Sequence, residues 1–256
     1  MRSGSVRVKN KNIRPFAGSS LLEIKIKQMK RIQASGLIDG VVVNSNCDEM
    51  LALAKRLGAE CVKREEKFAT SEVSPNDFYR NIAQHLDADN VLLCNCTNPL
   101  VSDQNIIDIL GFWSKNTIFD TINSVHYIKE FLWMKEGKNF KSLNYDPKNI
   151  PRSQDLDSII ALNFAINISS RSSMIDRKSI VGDNPYFWIL DNLASVDIDD
   201  DLDFKFAEFL FENTSPPPPP SKTLPRAYKR NIKSISYIIH NRNFHIITEK
   251  EVSRYA

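Results

Sequence analysis

No stretch of the 256-residue sequence approaches the roughly 20 consecutive apolar residues that a membrane-spanning helix needs. No signal-peptide pattern opens it either, so a cytoplasmic protein without a membrane partner is expected. Cysteine is scarce: Cys47, Cys61, Cys94 and Cys96 lack metal-ligand spacing, and the nearest histidines lie in unrelated segments. They read as buried reduced thiols rather than as a zinc module or a disulfide scaffold. Neither GxxxxGK[ST] nor GxGxxG occurs, so no standard phosphate-binding loop is present. What remains is ordinary for a globular chain able to bury a full core: 42% hydrophobic and 25% charged residues.

The net charge of +3 is unevenly spread. Arg226, Lys229, Arg230, Lys233, Arg242, Lys250 and Arg254 crowd the end of the chain against Glu249 and Glu251. Residues 1–215 are mildly acidic by comparison, so the basic pI says little about nucleic-acid binding by the whole protein. An RNA contact is expected, if anywhere, only through this tail.

The opening eighteen residues carry Arg2, Arg7, Lys9, Lys11 and Arg14 with no acid among them. Ser3, Gly4 and Ser5 are small enough for backbone N–H groups to approach a ligand closely. Unpaired Arg and Lys beside such a loop suit a nucleotide triphosphate, because guanidinium forks bind two oxygens at once and Lys is a movable point charge. A solvated basic arm has the same composition. The amphipathic segment that follows favours the phosphate reading, since a loop leading into a helix is the usual arrangement.

That helix is expected from a capping box at Ser20 and Glu23 to about Ser35, stopping at Gly36, with Leu22, Ile26 and Met29 on one face. Residues 38–43 read as a buried strand, Asp48 as the cap of a second helix closed by Gly58, and residues 60–63 as the next strand. This rhythm predicts βαβ units and a mostly parallel sheet. Ser74, followed by Pro75 and by Asp77 three residues on, starts another helix. Residues 90–95 form a strand ending in the turn Cys96-Thr97-Asn98-Pro99-Leu100, well placed for a nucleotide at a strand's carboxyl end. Asp103 is expected to cap the helix after it.

Residues 121–165 break the rhythm and read as a β-rich flap. Farther on, Asp197 and Asp199 flank Ile198, which on extended backbone sends both carboxylates to one side and the apolar residue to the other. Two carboxylates at such a point suit Mg²⁺, which takes one or two of them plus phosphate oxygens and water. Asp200, Asp201 and Asp203 are accounted for by the start of the next helix. Residues 216–220 are polyproline, hence a linker over 216–225, and residues 235–239 and 244–248 look like a hairpin within a basic tail, 226–256.

The run Arg2-Ser3-Gly4-Ser5, followed by Lys11-Asn12-Ile13-Arg14-Pro15-Phe16-Ala17-Gly18, resembles the opening signature of the acylneuraminate cytidylyltransferase family. The resemblance covers residues 1–215 with motifs in order, the Asp197-Ile198-Asp199 run included. It implies a Rossmann-like α/β nucleotidyltransferase domain with a dimerisation flap, acting as a homodimer. The activity implied is coupling of CTP to an acidic, sialic acid-like sugar, giving a CMP-sugar and pyrophosphate. By the same resemblance Arg2, Arg7 and Lys11 would hold the triphosphate, and Asp197 and Asp199 the Mg²⁺. Ser3, Gly4, Ser5, Asn12, Arg64, Ser74, Asn95 and Thr97 would hold the nucleotide. Arg152, Gln154 and Asn163 would hold the sugar, with Arg152 forking onto its carboxylate. No general base is identifiable.

Three departures stand out. Asn44-Ser45-Asn46 replaces the family's Ser-Thr-Asp, and Ala161-Leu162-Asn163-Phe164 replaces Arg-Pro-Asn-Gly. The family's first strand has no counterpart ahead of Arg2. A central parallel strand cannot be dropped without orphaning the backbone groups of both neighbours. Either the sequence starts past that strand or another segment fills the slot, for which the apolar residues 235–239 or 244–248 are candidates. The competing reading is a degenerate transferase that binds a partner through its basic tail.

Overall fold

The computed structural model describes residues 10–70 and 72–214, and the backbone of residues 235–240. In chain order the elements are β1 (Pro15–Phe16), β2 (Ser19–Ser20), α1 (Leu21–Ala34), β3 (Gly40–Ser45), α2 (Asp48–Arg56), β4 (Glu60–Lys63), α3 (Pro75–Gln84), β5 (Asn90–Asn95) and α4 (Asp103–Trp113). They continue with β6 (Thr121–Ile128), β7 (Trp133–Glu136), β8 (Asn139–Ser142), β9 (Ile159–Ser170), α5 (Arg171–Arg177), β10 (Pro185–Ile189), α6 (Asp201–Asn213) and β11 (Ile235–His240).

Seven strands form one sheet in the order β10-β6-β9-β5-β11-β3-β4. All neighbours are parallel except β9, which runs antiparallel to both β5 and β6. The mostly parallel α/β sheet expected from the sequence is thus present. The buried strands read as continuous β-branched and apolar runs, such as Val41, Val42 and Val43, because helices cover both faces. One core cluster joins α1, α4 and α6 to the sheet around Ile26, Met29, Leu92 and Phe204. A second, on the opposite side, gathers Phe78, Ile82, Leu93 and Met174 under α3 and α5. Burying each such side chain stabilises by about 1.5–3 kcal/mol.

An interior position, between β5 and β3, is taken by β11, parallel to both. Ile238 registers with Val42 on one side and Leu93 on the other. So residues 235–240 of the supposed tail are a sheet strand and not half of a hairpin. Residues 244–248 lie outside the described residues.

Helix boundaries correct the sequence reading in detail. Ser20 accepts from Glu23 N as expected, but the Glu23 carboxylate turns forward to Lys27 Nζ at 2.7 Å instead of closing a capping box. Cys47, not Asp48, is the N-cap of α2, and Asp48 Oδ1 pairs with Lys63 Nζ at 2.5 Å. Ser102, one residue before Asp103, caps α4 in a full capping box with Asn105. Asp103 is thereby released for Arg31, which grips both its oxygens at 2.8 Å. The flap is also narrower than 121–165. Its outer parts are β6 and β9 of the main sheet, and only the β7–β8 hairpin and its flanks project.

Candidate active site

The C-terminal ends of parallel strands, where the strand order reverses, are where open α/β sheets bind ligands. Here the chain turns back from β3 and β4 on one side of β11 to β5 on the other. Lys11 and Asn12 enter this edge just ahead of β1 and are both 1% exposed. Lys11 is held in place by a hydrogen bond from Nζ to the main-chain oxygen of Ile198, 187 residues away. One of its three donors is used there. Asn12 receives the N–H of Leu22 at 2.9 Å on its main-chain oxygen, fixing it to the first turn of α1. Its side-chain Oδ1 is buried and has no partner among the described residues. Arg14 reaches the same strap, with Nη1 2.6 Å from Asp201 Oδ1.

Ile198 is fully buried and anchors the acidic pair on either side of it. Its N–H donates to Thr97 O at 3.0 Å, and Asn98 Nδ2 donates to Val196 O at 3.1 Å. The turn after β5 and the Asp197–Asp199 segment are therefore stitched together. Asp200 caps α6, accepting from Leu202 N and Asp203 N, while Asp203 reaches back to the N–H groups of Asp199 and Asp200. The helix start thus consumes Asp200 and Asp203. Asp197 is different, because its Oδ1 is buried and has no hydrogen-bond partner among the described residues. Burial pushes its carboxyl up from 3.8 to about 6, a hydrogen bond to Thr97 opposes the rise, Asp199 adds to it and Lys11 opposes it. A buried carboxylate oxygen with no donor, beside a second carboxylate, fits a hard divalent cation. Among the described residues no group of three or more His, Cys, Asp or Glu gathers, so the described residues offer two carboxylates at most.

Arg64 follows β4 and is 4% exposed. Its Nε donates to Asn44 Oδ1 at 2.6 Å, its Nη2 to Asn44 O at 2.9 Å, and its guanidinium lies 4.6 Å above the Phe78 ring. The amide at Asn44, where the family has a Ser, thus orients the fork. Ser74 is exposed and caps α3, accepting from Asp77 N at 3.1 Å. Asn95 and Thr97, both buried, end β5 and begin the turn.

The residues expected at the sugar sit apart from this cluster in character. Arg152 is 74% exposed and clasps Asp155 at 2.6 Å. Gln154 is exposed and lines a hollow of about 180 Å³ with Tyr127 and Lys129 at the foot of the flap. Asn163 is buried: its Oδ1 accepts from Ser124 Oγ at 2.5 Å and its Nδ2 donates to Ser195 Oγ at 3.4 Å. Its amide ties β6 and β9 to the segment ahead of Asp197. Arg2, Ser3, Gly4, Ser5 and Arg7 lie outside the described residues. Lys25 and Gln28 shape this edge without having been picked out from the sequence, and Asn44 and Asn98, named there only as members of their motifs, shape it too. The two on α1 had a signal, a polar residue at each of two positions spaced i, i+4 and i+7 from Leu21 and continuing to Ile32.

Comparison with known proteins places this arrangement. The chain is 26% identical over 222 residues to post-translational flagellin modification protein B of Campylobacter coli, covering 82% of this chain and 92% of that one. It is 27% identical over 225 residues to CMP-N,N'-diacetyllegionaminic acid synthase of Campylobacter jejuni, covering 84% and 94%. Among solved structures, 4-diphosphocytidyl-2C-methyl-D-erythritol synthase from Anaerococcus prevotii superposes with a TM-score of 0.59 at 11% identity, covering 83% and 96%. A CMP:2-keto-3-deoxy-manno-octonic acid synthetase solved with CTP superposes with a TM-score of 0.56 at 11% identity, covering 82% and 95%. At such identities the structures establish the Rossmann-like nucleotidyltransferase fold. The cytidylyltransferase family profile matches residues 1–131, half of the chain, and this protein belongs to that family.

Proposed function

We propose that the protein couples CTP to an acidic sugar of the nonulosonic type, releasing a CMP-sugar and pyrophosphate. One observation carries the reading: Lys11 from the start of the chain bonds the main chain of Ile198, between Asp197 and Asp199. Cation and acidic pair are therefore neighbours in the fold, although 187 residues separate Lys11 from Ile198. Relatives along most of this length are named for legionaminic, pseudaminic and N-acylneuraminic acids, which supports an acidic sugar.

In the proposed reaction a sugar hydroxyl oxygen forms a bond to the α-phosphorus of CTP and gives up its proton to water, while the α–β bridging bond breaks and its electron pair leaves with pyrophosphate. Lys11 would neutralise the triphosphate, a role that the family resemblance extends to Arg2 and Arg7. Arg64, Ser74, Asn95 and Thr97 hold the base and ribose end, with Asn12 and the Ser3-Gly4-Ser5 backbone at the phosphates. Asp197 and Asp199 would hold Mg²⁺, which supplies charge neutralisation and alignment of the phosphates when bound. Positioning and preorganised charge carry most of such catalysis. Arg152, Gln154 and Asn163 form the sugar end. The exposed flap aromatics Trp133 and Phe140 fit coverage by a second copy of the chain, hence a homodimer.

Pyrophosphate release, measured for each nucleoside triphosphate against a panel of nonulosonic acids with and without Mg²⁺, tests the reading. Turnover confined to CTP plus one or more acidic sugars is expected, and no turnover with any pair would overturn it. A module that only docks partners through its tail would bind no CTP. The placement of residues 235–240 inside the sheet speaks against such a free docking arm.

A further inference from the structure

Lys25 is 0% exposed, inside the core between α1 and the turn after β5. Its Nζ donates to Gln28 Oε1 at 2.8 Å and to Asn98 O at 3.2 Å, both uncharged acceptors. Among the described residues no carboxylate lies within ion-pair distance of it. Burying an ammonium without an opposite charge is costly, and a Met or Leu here would have served packing alone. A local rule broken in this way points to a function that the residue serves.

The partners show what is gained. Gln28, next on the same helix face, donates from Nε2 to Val101 O at 2.7 Å and to Asp103 Oδ1 at 3.1 Å. Lys25 and Gln28 together hold two main-chain carbonyls of the turn that contains Thr97. That turn holds Val196 and Ile198, Ile198 O holds Lys11, and Asn12 O is held by Leu22 N at the start of α1. The path closes on the helix where it began, enclosing every described phosphate-side residue.

We propose that Lys25, with Gln28, is a positioning residue of the nucleotide site: it fixes the Thr97–Asn98 turn to α1 and through it sets Asp197, Asp199 and Lys11. The inference rests on the cytidylyltransferase reading for its kinetic consequence, but its structural half is independent of that reading. Lys25→Met keeps length and fills the same apolar volume while removing the donor. Relaxing the turn that this hydrogen bond holds is expected to cost about tenfold in CTP affinity, the size of one buried hydrogen bond.

The test compares full-length wild type with Lys25→Met, Thr97→Val and the double variant by calorimetric titration of Mg²⁺–CTP, alongside amide hydrogen exchange without nucleotide. The expected result is a Kd for CTP about tenfold higher in Lys25→Met at a melting temperature close to wild type. Exchange should quicken at Ile198 and at residues 97–101, and the double variant should bind no worse than the poorer single variant. Unchanged exchange at Ile198 would overturn the proposal whether or not CTP is the substrate. Additive losses in the double variant would overturn it also, since Lys25 would then act independently of the turn. Should Lys25→Met fail to fold, Lys25→Gln, which retains a shorter donor, must show the same pattern in smaller measure, and wild-type affinity and exchange in that variant would overturn it. Wild type that binds no CTP would refute the functional reading and leave the exchange result to decide this one.

Discussion

The two ends of the candidate cleft are built on different terms. At the nucleotide end Lys11, Asn12, Arg64, Asn95 and Thr97 are all buried, and the two cations are oriented by main-chain or amide oxygens. At the sugar end Arg152 is 74% exposed and its fork is taken by Asp155, while Phe140 on the flap is 64% exposed. One end is preorganised by the chain itself. Apart from the buried Asn163, the other presents solvated side chains whose charge interactions are weak and whose rotamers are still free to be lost. The difference teaches where binding energy is already committed before a ligand arrives, and where a substrate or a second subunit must supply the order.

The comparison breaks most completely beneath the nucleotide end. Deleting residues 235–256 would strip β11 from between β3 and β5, leaving both strands with unpaired backbone groups in the middle of the sheet. That loss rivals a domain's whole stability of about 5–15 kcal/mol, so the deleted protein should show no cooperative melting transition by circular dichroism. Next in size is Asp199→Asn, expected to lower CTP-dependent pyrophosphate release by about 10²–10³-fold with the melting temperature held. Undiminished turnover would remove the acidic pair from the mechanism.

Arg64→Ala and Arg152→Ala sharpen the contrast directly. The first removes a buried fork from Asn44 and Phe78 and should both destabilise and raise KM for CTP by about tenfold or more. The second breaks an exposed pair worth about 0–1 kcal/mol. It should leave the melting temperature and KM for CTP alone while raising KM for the sugar acid. Equal effects of the two on CTP would erase the distinction between the ends.

The smallest effect is in pH dependence. Asp197 ionises at about 6 in the folded protein against 3.8 ordinarily, so the folded state binds more protons across that window. Its contribution to stability is therefore greatest in acid and declines as pH rises from about 4 to 6, without metal. Asp197→Asn should melt at nearly the wild-type temperature at pH 4 and above it at pH 7.5. A gap that does not widen with pH would contradict the burial of this carboxyl.

Local chemistry was legible from the residues because it acts over a few positions. Ser74 with Pro75 and Asp77 started α3 as read, Gly58 ended its helix segment in the left-handed region, and the strands at residues 60–63 and 90–95 fell where their apolar runs placed them. The cap of α4 slipped by one residue because two adjacent side chains, Ser102 and Asp103, could each serve, and Arg31 from 72 residues away claimed the acid. Lys25 went unnoticed because a lysine on a helix is by default a solvated residue, and only the neighbouring turn gives its ammonium a reason to be inside.

The sequence alone determined the α/β rhythm, the presence of a basic opening and of an acidic segment around Ile198, and the family resemblance those motifs carry. Only the tertiary structure decided that residues 235–240 occupy the middle of the sheet, that Lys11 meets Ile198, and that Lys25 is locked beneath Asn98. Caps and periodicity depend on neighbours within a turn or two of backbone. Strand order and buried polar partners depend on which distant groups can satisfy one another once water is excluded, and that is settled only when the chain is packed.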